Sequence, residues 1–309
     1  MRCLVTGCAG FIGSTLTDQL LKQGNHVTGI DCFTDYYPRS IKEKNISRAR
    51  KNPQFTFIEK EIRDISTFPD VDYIFHEAAQ AGVRSSWGED FSIYTHHNID
   101  STQYLLESYK NTSLKKFVYA SSSSVYGDVC LPMREDMRLQ PVSPYGVTKL
   151  AAEHLCYLYW KNFGLPTVSL RYFTVYGPRQ RPDMAINKFV TAILNEKPIT
   201  LYGDGTQTRD FTYVSDIVDA NIRTAEKGNP GSVFNIGGGS RITVNELIRE
   251  LEKNCGKPAH ILFTEKQKGD VQDTLADIHM ARTVLGWEPH IPIGEGVRKY
   301  VEWFIRNKE

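Results

Sequence analysis

A glycine-rich turn directly after the first apolar run restricts this chain to few architectures. Cys3-Leu4-Val5 reads as a short buried strand within Arg2–Thr6. Thr6-Gly7-Cys8-Ala9-Gly10-Phe11-Ile12-Gly13 follows and opens an amphipathic helical run from Phe11 to Lys22. In such a strand–turn–helix unit, Gly7 permits the tight turn and Gly10 lets the backbone approach a pyrophosphate. Gly13 lets helix and strand pack closely. The first helical turn, Phe11, Ile12 and Gly13, offers free N–H groups to phosphate oxygens.

The same rhythm continues. Strand patterns are read at His26–Ile30, Phe55–Glu59, Asp72–His76, Lys116–Ser121 and Thr167–Tyr172, with helical patterns between them, notably Ser92–Tyr109 and Tyr145–Asn162. Short apolar strands alternating with helices predict parallel βαβ units, and right-handed crossovers then give a doubly wound Rossmann-type sheet. After about residue 175 the rhythm loosens, with Pro178, Pro182, Pro198 and Pro230 among shorter elements. Residues 1–175, rejoined by about 210–237, are expected to bind a dinucleotide. Residues 176–209 and 238–309, with helices at Val244–Asn254 and Ile293–Asn307, are expected to form a smaller α/β substrate lobe.

Asp31 ends the second strand, eighteen residues after Gly13. A carboxylate there accepts from both ribose hydroxyls and repels a 2′-phosphate, and the next residues are Cys32, Phe33 and Thr34 rather than arginine. NAD is therefore expected over NADP.

Tyr145-Gly146-Val147-Thr148-Lys149 places a phenol and an ammonium on one helix face. A lysine near a phenol, together with a positive nicotinamide, lowers the phenol's pKa, so that it can take a proton from a hydroxyl while hydride leaves the same carbon. The strand ending at Ser121 runs into Ser122-Ser123-Ser124, at the strand end where such a fold places catalytic hydroxyls.

Composition excludes more than it assigns. Lys and Arg total 37 against 36 Asp and Glu, a net charge of +1, which offers no basic field to nucleic acid. The six cysteines contain no C-x-x-C pair and read as buried reduced thiols, with no metal site. No apolar run approaches a membrane span and no charged leader precedes the first strand, so a cytoplasmic enzyme is expected.

The glycine loop, His76-Glu77-Ala78-Ala79, the serine run, the Tyr145/Lys149 pair and Arg171-Tyr172-Phe173-Thr174-Val175-Tyr176-Gly177-Pro178 together resemble the extended short-chain dehydrogenases that modify nucleotide sugars. Arg209-Asp210-Phe211 and Lys268-Gly269-Asp270-Val271 carry the resemblance to the C-terminal part. It implies that Ser122 assists Tyr145 at the sugar's 4-oxygen, and that Asp64 and Ile65 meet the adenine. Ala78, Ala79, Gln80 and Tyr172 line the cofactor, and Asn98 sits in its supporting helix. Arg209 and Asp270 match positions for the nucleotide's phosphate and ribose. A homodimer built on the Ser92–Tyr109 and Tyr145–Asn162 helices is also implied.

Within that family, sugar dehydratases carry an acidic pair after the catalytic hydroxyl, where this chain has Ser123 and Ser124. A serine cannot protonate a leaving hydroxyl as a carboxylic acid does. Thr174 stands where most members have asparagine. The stretch Phe173 to Met184, and Gly82-Val83-Arg84-Ser85-Ser86-Trp87 with Arg84 on the substrate side, are similar to UDP-glucuronic acid 4-epimerases. Ser123, Ser124, Thr174 and the Arg181 guanidinium are then expected around the sugar carboxylate. The alternatives are a UDP-glucose 4-epimerase, a UDP-glucuronate decarboxylase and a non-catalytic NAD-binding sensor, the last opposed by the presence of both Tyr145 and Lys149.

Overall fold

The computed structural model describes residues 1–265 and 269–307, so Lys268 of the Lys268-Gly269-Asp270 stretch lies outside the described residues. Strands β1 (Arg2–Thr6), β2 (His26–Asp31), β3 (Phe55–Glu59), β4 (Tyr73–His76), β5 (Lys116–Ser122) and β6 (Thr167–Tyr172) match the sequence reading to within a residue at each end. The later strands are β7 (Thr174–Tyr176), β8 (Ile199–Tyr202), β9 (Thr208–Tyr213), β10 (Val233–Ile236), β11 (Arg241–Thr243) and β12 (Ile261–Thr264). Helices α1 (Phe11–Lys22), α2 (Arg39–Ile46), α3 (Phe91–Tyr94), α4 (Ser101–Tyr109) and α5 (Pro144–Phe163) belong to the first half. Helices α6 (Ala185–Leu194), α7 (Val214–Lys227), α8 (Val244–Cys255) and α9 (Ile293–Asn307) follow.

Seven parallel strands form the central sheet in the order β10-β6-β5-β4-β1-β2-β3. The chain winds outward from β1 through β2 to β3, then returns to place β4 on the other side of β1. That reversal opens a crevice beyond the strand ends, where doubly wound sheets bind ligands. β5 and β6 are buried along their whole length, as strands covered on both faces must be.

The smaller sheets, β11-β9-β7 and β12-β8, come from the C-terminal half. One continuous apolar core runs from Val5 and Phe75 of the large sheet to Ile186, Leu247 and Tyr300. The two halves therefore share their interior.

Two expectations need correction. The helix read as Ser92–Tyr109 is interrupted by a π-helical turn at Thr95–Asp100 between α3 and α4. This wider turn rotates His96, His97 and Asn98 relative to a regular helix, a distortion frequent at functional sites. The cysteines are all free, but only Cys3, Cys8 and Cys156 are buried; Cys130 is exposed and Cys32 and Cys255 are half-buried. Among the described residues, no helix is long and apolar enough to cross a membrane.

Candidate active site

A cleft at the β1/β4 reversal is lined by Gly7, Gly10, Phe11, Ile12 and Gly13 on one side and by Glu77, Ala78, Ala79 and Gln80 on the other. The close approach of these walls depends on missing side chains. Gly7 has φ +67°, and a Cβ there would lie 2.8 Å from the Ala78 backbone; one on Gly13 would lie 2.2 Å from the Gly7 carbonyl oxygen. Gly10 caps α1 without any side-chain hydrogen bond, so the first-turn N–H groups remain available to an anion. These features fit a dinucleotide pyrophosphate.

Asp31 lines the same cleft. Its Oδ2 accepts from the Ala9 N–H at 3.0 Å and its Oδ1 from the Phe33 N–H at 2.9 Å. Burial pushes its carboxyl up, opposed by those two N–H groups and by the Lys42 ammonium. Lys42 comes from α2 and is held by the Thr34 carbonyl at 2.5 Å and hydroxyl at 3.1 Å. It lines the cleft beside Asp31. Sequence reasoning missed it because it looked for a cation immediately after Asp31.

Neither residue expected at the adenine lines the cleft. Ile65 is buried in the core and Asp64 is exposed, whereas Glu61 and Ile62 line the cleft. The 3-10 turn Ile62–Asp64 directs the chain inward immediately after it leaves the cleft. Glu61 is hydrogen-bonded to His96, and Glu61, His96 and His97 bring their polar atoms within 4.8 Å of one another. Asn98 does not face the cleft. It grips the Gln80 backbone on both sides, accepting from its N–H at 2.7 Å and donating to its carbonyl at 3.0 Å, and it donates to Thr148 of α5 at 2.9 Å.

Tyr145 is the second residue of α5, after the Ser143 N-cap and Pro144. Gly146 lets this helix end press against the serine run: a Cβ there would lie 2.4 Å from the Ser124 carbonyl oxygen. The approach sets Ser122 close enough to the Tyr145 phenol for its hydroxyl to act on the phenol's ionisation. Burial raises that phenol above its ordinary range, while the Ser122 hydroxyl and the Arg181 charge pull it down. The four serines separate into distinct tasks. Ser121 donates to Glu153 at 2.6 Å, behind the site, where Glu153 forms a buried 2.6 Å ion pair with Arg171. Ser122 accepts from the Ser124 N–H at 3.1 Å. Ser123 and Ser124 are half-buried, as is Thr174 at the start of β7.

Lys149 and Tyr172 line the cleft with Tyr145. Burial pushes the Lys149 ammonium down to about 8, opposed chiefly by Glu77. Arg181 reaches the same cleft, with its guanidinium held by Asp183.

A second polar cluster contains the expected nucleotide-binding residues. Arg84 pairs with Asp270 at 2.6 Å and lies over the Tyr202 ring at 4.3 Å. Arg209 donates to the carbonyls of Thr208 at 2.8 Å and Gln272 at 3.0 Å, and Asp270 is foremost among the charges acting on it. The turn at Gly269 packs against Ser143, two residues before Tyr145.

Residues 3–237 match the NAD dependent epimerase/dehydratase family. The chain belongs to this family. It is 45% identical over 310 residues to a protein of Bacillus subtilis described as an uncharacterized UDP-glucose epimerase, covering 98% of each chain. It is 41% identical over 314 residues to a UDP-glucuronate 4-epimerase of Thermodesulfobacterium geofontis, covering 99% of this chain and 97% of the relative. Among solved structures, the UDP-glucuronic acid 4-epimerase of Bacillus cereus in complex with UDP-glucuronic acid and NAD superposes with a TM-score of 0.97. It has 45% sequence identity, with 99% of both chains covered. The parallel seven-stranded sheet and the NAD-type cleft are thus family features of this chain.

Proposed function

We propose that this chain is a UDP-glucuronic acid 4-epimerase, interconverting UDP-glucuronate and UDP-galacturonate through a transient 4-keto sugar. The observation that carries this reading is the meeting of Tyr145, Lys149 and Arg181 with the dinucleotide loop at one cleft. The likeness to UDP-glucuronate 4-epimerases over nearly the whole chain supports the choice of sugar.

Gly7, Gly10, Phe11, Ile12 and Gly13 would hold the pyrophosphate, and Asp31 the ribose hydroxyls. Ala78, Ala79, Gln80 and Tyr172 form the remaining wall. When bound, NAD supplies a hydride acceptor and donor and a positive ring charge. Tyr145 takes the proton of the sugar's 4-hydroxyl and later returns one. Ser122 hydrogen-bonds at the same oxygen, and the Lys149 ammonium favours the phenolate. Arg209, Asp270 and Arg84 hold the nucleotide.

Oxidation at C4 creates a β-keto acid, because the carboxylate lies on C5. Decarboxylation is easy when the C5–carboxylate bond stands perpendicular to the ketone plane. Ser123, Ser124, Thr174 and Arg181 restrain that carboxylate while the keto sugar turns its other face to the hydride donor. In this reading residues 1–175 and about 210–237 carry the cofactor, with β10 completing the sheet. Residues 176–209 and 238–309 carry the nucleotide sugar. Exposed Tyr157, Leu158 and Phe163 on α5 favour a homodimer through that helix.

A UDP-glucose 4-epimerase is the second reading. It is favoured by the pairing of Arg181 with Asp183, which already satisfies the cation, and by the name of the Bacillus subtilis relative. Supplying UDP-glucuronate and UDP-glucose side by side and identifying the products by NMR tests the choice. UDP-galacturonate as the main product supports the proposal; efficient conversion of UDP-glucose alone promotes the second reading.

A further inference from the structure

Glu77 has no part in the chemistry above, yet it is a carboxyl inside the cofactor cleft. It follows the last residue of β4, His76, whose ring is turned to the other side and held by Thr6 at 2.7 Å and Thr102 at 2.9 Å. Alternation along the strand therefore sends Glu77 into the cleft. Its Oε1 accepts from the Tyr172 hydroxyl at 2.8 Å. That hydroxyl accepts in turn from Asn221 of α7 at 2.7 Å, and Asn221 is fixed by the Ile217 carbonyl at 3.0 Å. Three elements thus converge on one carboxyl.

The charges around it are few. Lys149, from α5, is the cation that acts on Glu77 among the described residues, and Glu77 is foremost among the charges that act on Lys149. The other groups near Lys149 are spoken for or neutral. Glu153 is paired with Arg171 at 2.6 Å and accepts from Ser121 at 2.6 Å. Burial holds the Cys156 thiol and the Tyr119 phenol, over whose ring Lys149 lies at 4.7 Å, in their neutral forms. His76, buried, is pushed down to about 3 and stays neutral, and Tyr172 is kept a neutral phenol by burial. A buried ammonium without a counter-charge loses its proton.

We propose that Glu77 is a positioning residue of the reaction centre: its carboxylate is the counter-charge that keeps the Lys149 ammonium charged, and its hydrogen bond to Tyr172 fixes the wall of the cleft. This rests on the assignment of Tyr145 and Lys149 to catalysis. The Glu77 carboxyl, pushed up to about 7 by burial, and the Lys149 ammonium then titrate as a pair near neutrality.

The test compares wild type with Glu77→Gln, which keeps an acceptor for Tyr172 but removes the charge, and with Tyr172→Phe, which removes the donor. Two readouts are needed: the pH profile of kcat, and the melting temperature of the NAD-free protein against pH. In Glu77→Gln the Lys149 ammonium loses its partner, so the alkaline limb of kcat moves to lower pH by about one unit or more. A group raised on folding adds stability below its unfolded pKa and loses it as pH rises through its folded pKa. The melting temperature of wild type minus that of Glu77→Gln therefore falls between about pH 5 and 7. Tyr172→Phe removes a hydrogen bond to the charged form of Glu77, so its melting profile falls at higher pH than wild type, which decides the matter if Glu77→Gln does not fold. A lower kcat with unmoved limbs, together with a flat melting difference, would leave Glu77 a packing residue and overturn the proposal. Absence of any turnover in wild type would instead overturn the epimerase reading, while the melting comparison would still decide the role of Glu77.

Discussion

Arg181 and Asp183 make a two-point ion pair, Nε to Oδ1 at 2.9 Å and Nη2 to Oδ2 at 3.0 Å, at the edge of the cleft that holds Tyr145. Tyr36 donates to the same Asp183 at 3.2 Å. The guanidinium is therefore held in place before any sugar arrives, and two of its five N–H donors are committed. A sugar carboxylate would meet the remaining donors in a fixed orientation.

Removing that guanidinium should therefore discriminate between sugars. Arg181→Ala is expected to lower kcat/KM for UDP-glucuronate by about tenfold or more, the cost of roughly one charge-assisted hydrogen bond. Activity on UDP-glucose should change much less, and decarboxylated product should increase. Steady-state kinetics with both sugars, with product analysis, checks this; equal losses on both would remove Arg181 from carboxylate recognition.

Tyr145→Phe keeps the ring that packs beside Tyr94, with centroids 6.3 Å apart, and removes the proposed base. Turnover should fall by about two to four orders of magnitude, while the dissociation constant for UDP-glucuronate, measured by calorimetry, stays within a few-fold. Near-wild-type turnover would exclude the phenol from proton transfer.

Asp31 accepts two backbone N–H groups as well as facing the cleft. Asp31→Ser should weaken NAD by about tenfold or more, since hydrogen bonds to a charged group contribute about 1.5–3 kcal/mol each. It should also narrow the preference over NADP, because Lys42 remains beside the vacated carboxylate position. Titrating both dinucleotides into wild type and variant measures the two effects. An unchanged preference would place the ribose contact elsewhere.

Gly146→Ala tests the helix–strand approach. The added methyl would lie 2.4 Å from the Ser124 carbonyl oxygen and 2.9 Å from the Pro141 side chain. Backbone must move to admit it, at a cost of about 1–3 kcal/mol for overpacking, and the contact between Ser122 and Tyr145 should loosen. A lower melting temperature and reduced kcat are expected; a variant matching wild type in both would show that the approach has slack.

The sheet and most helices were legible because buried parallel strands are short apolar runs and the helices between them carry a 3.6-residue pattern. The π turn at Thr95–Asp100 was hidden, because one extra residue in a helix barely disturbs that pattern. Asp64 and Ile65 were expected at the cleft, but an acidic residue followed by isoleucine occurs twice just after β3, as Glu61-Ile62 and Asp64-Ile65, and only the path of the chain there puts the first pair at the cleft. Arg181 meets Tyr36 and Lys42 at the cleft from a distant part of the chain, a convergence that local spacing does not encode. Glu77 was visible as part of a motif, but its importance depends on Tyr172 and Lys149, which only folding brings to it.

Deuterium placed at C4 of UDP-glucuronate tests the central claim most directly. If hydride leaves C4 and returns to the opposite face of the same carbon within one closed site, UDP-galacturonate forms with the deuterium still at C4. No free reduced cofactor accumulates, and little carbon dioxide is released. Loss of the deuterium to solvent, its appearance in free NADH, or a decarboxylated pentose as the main product would contradict the account.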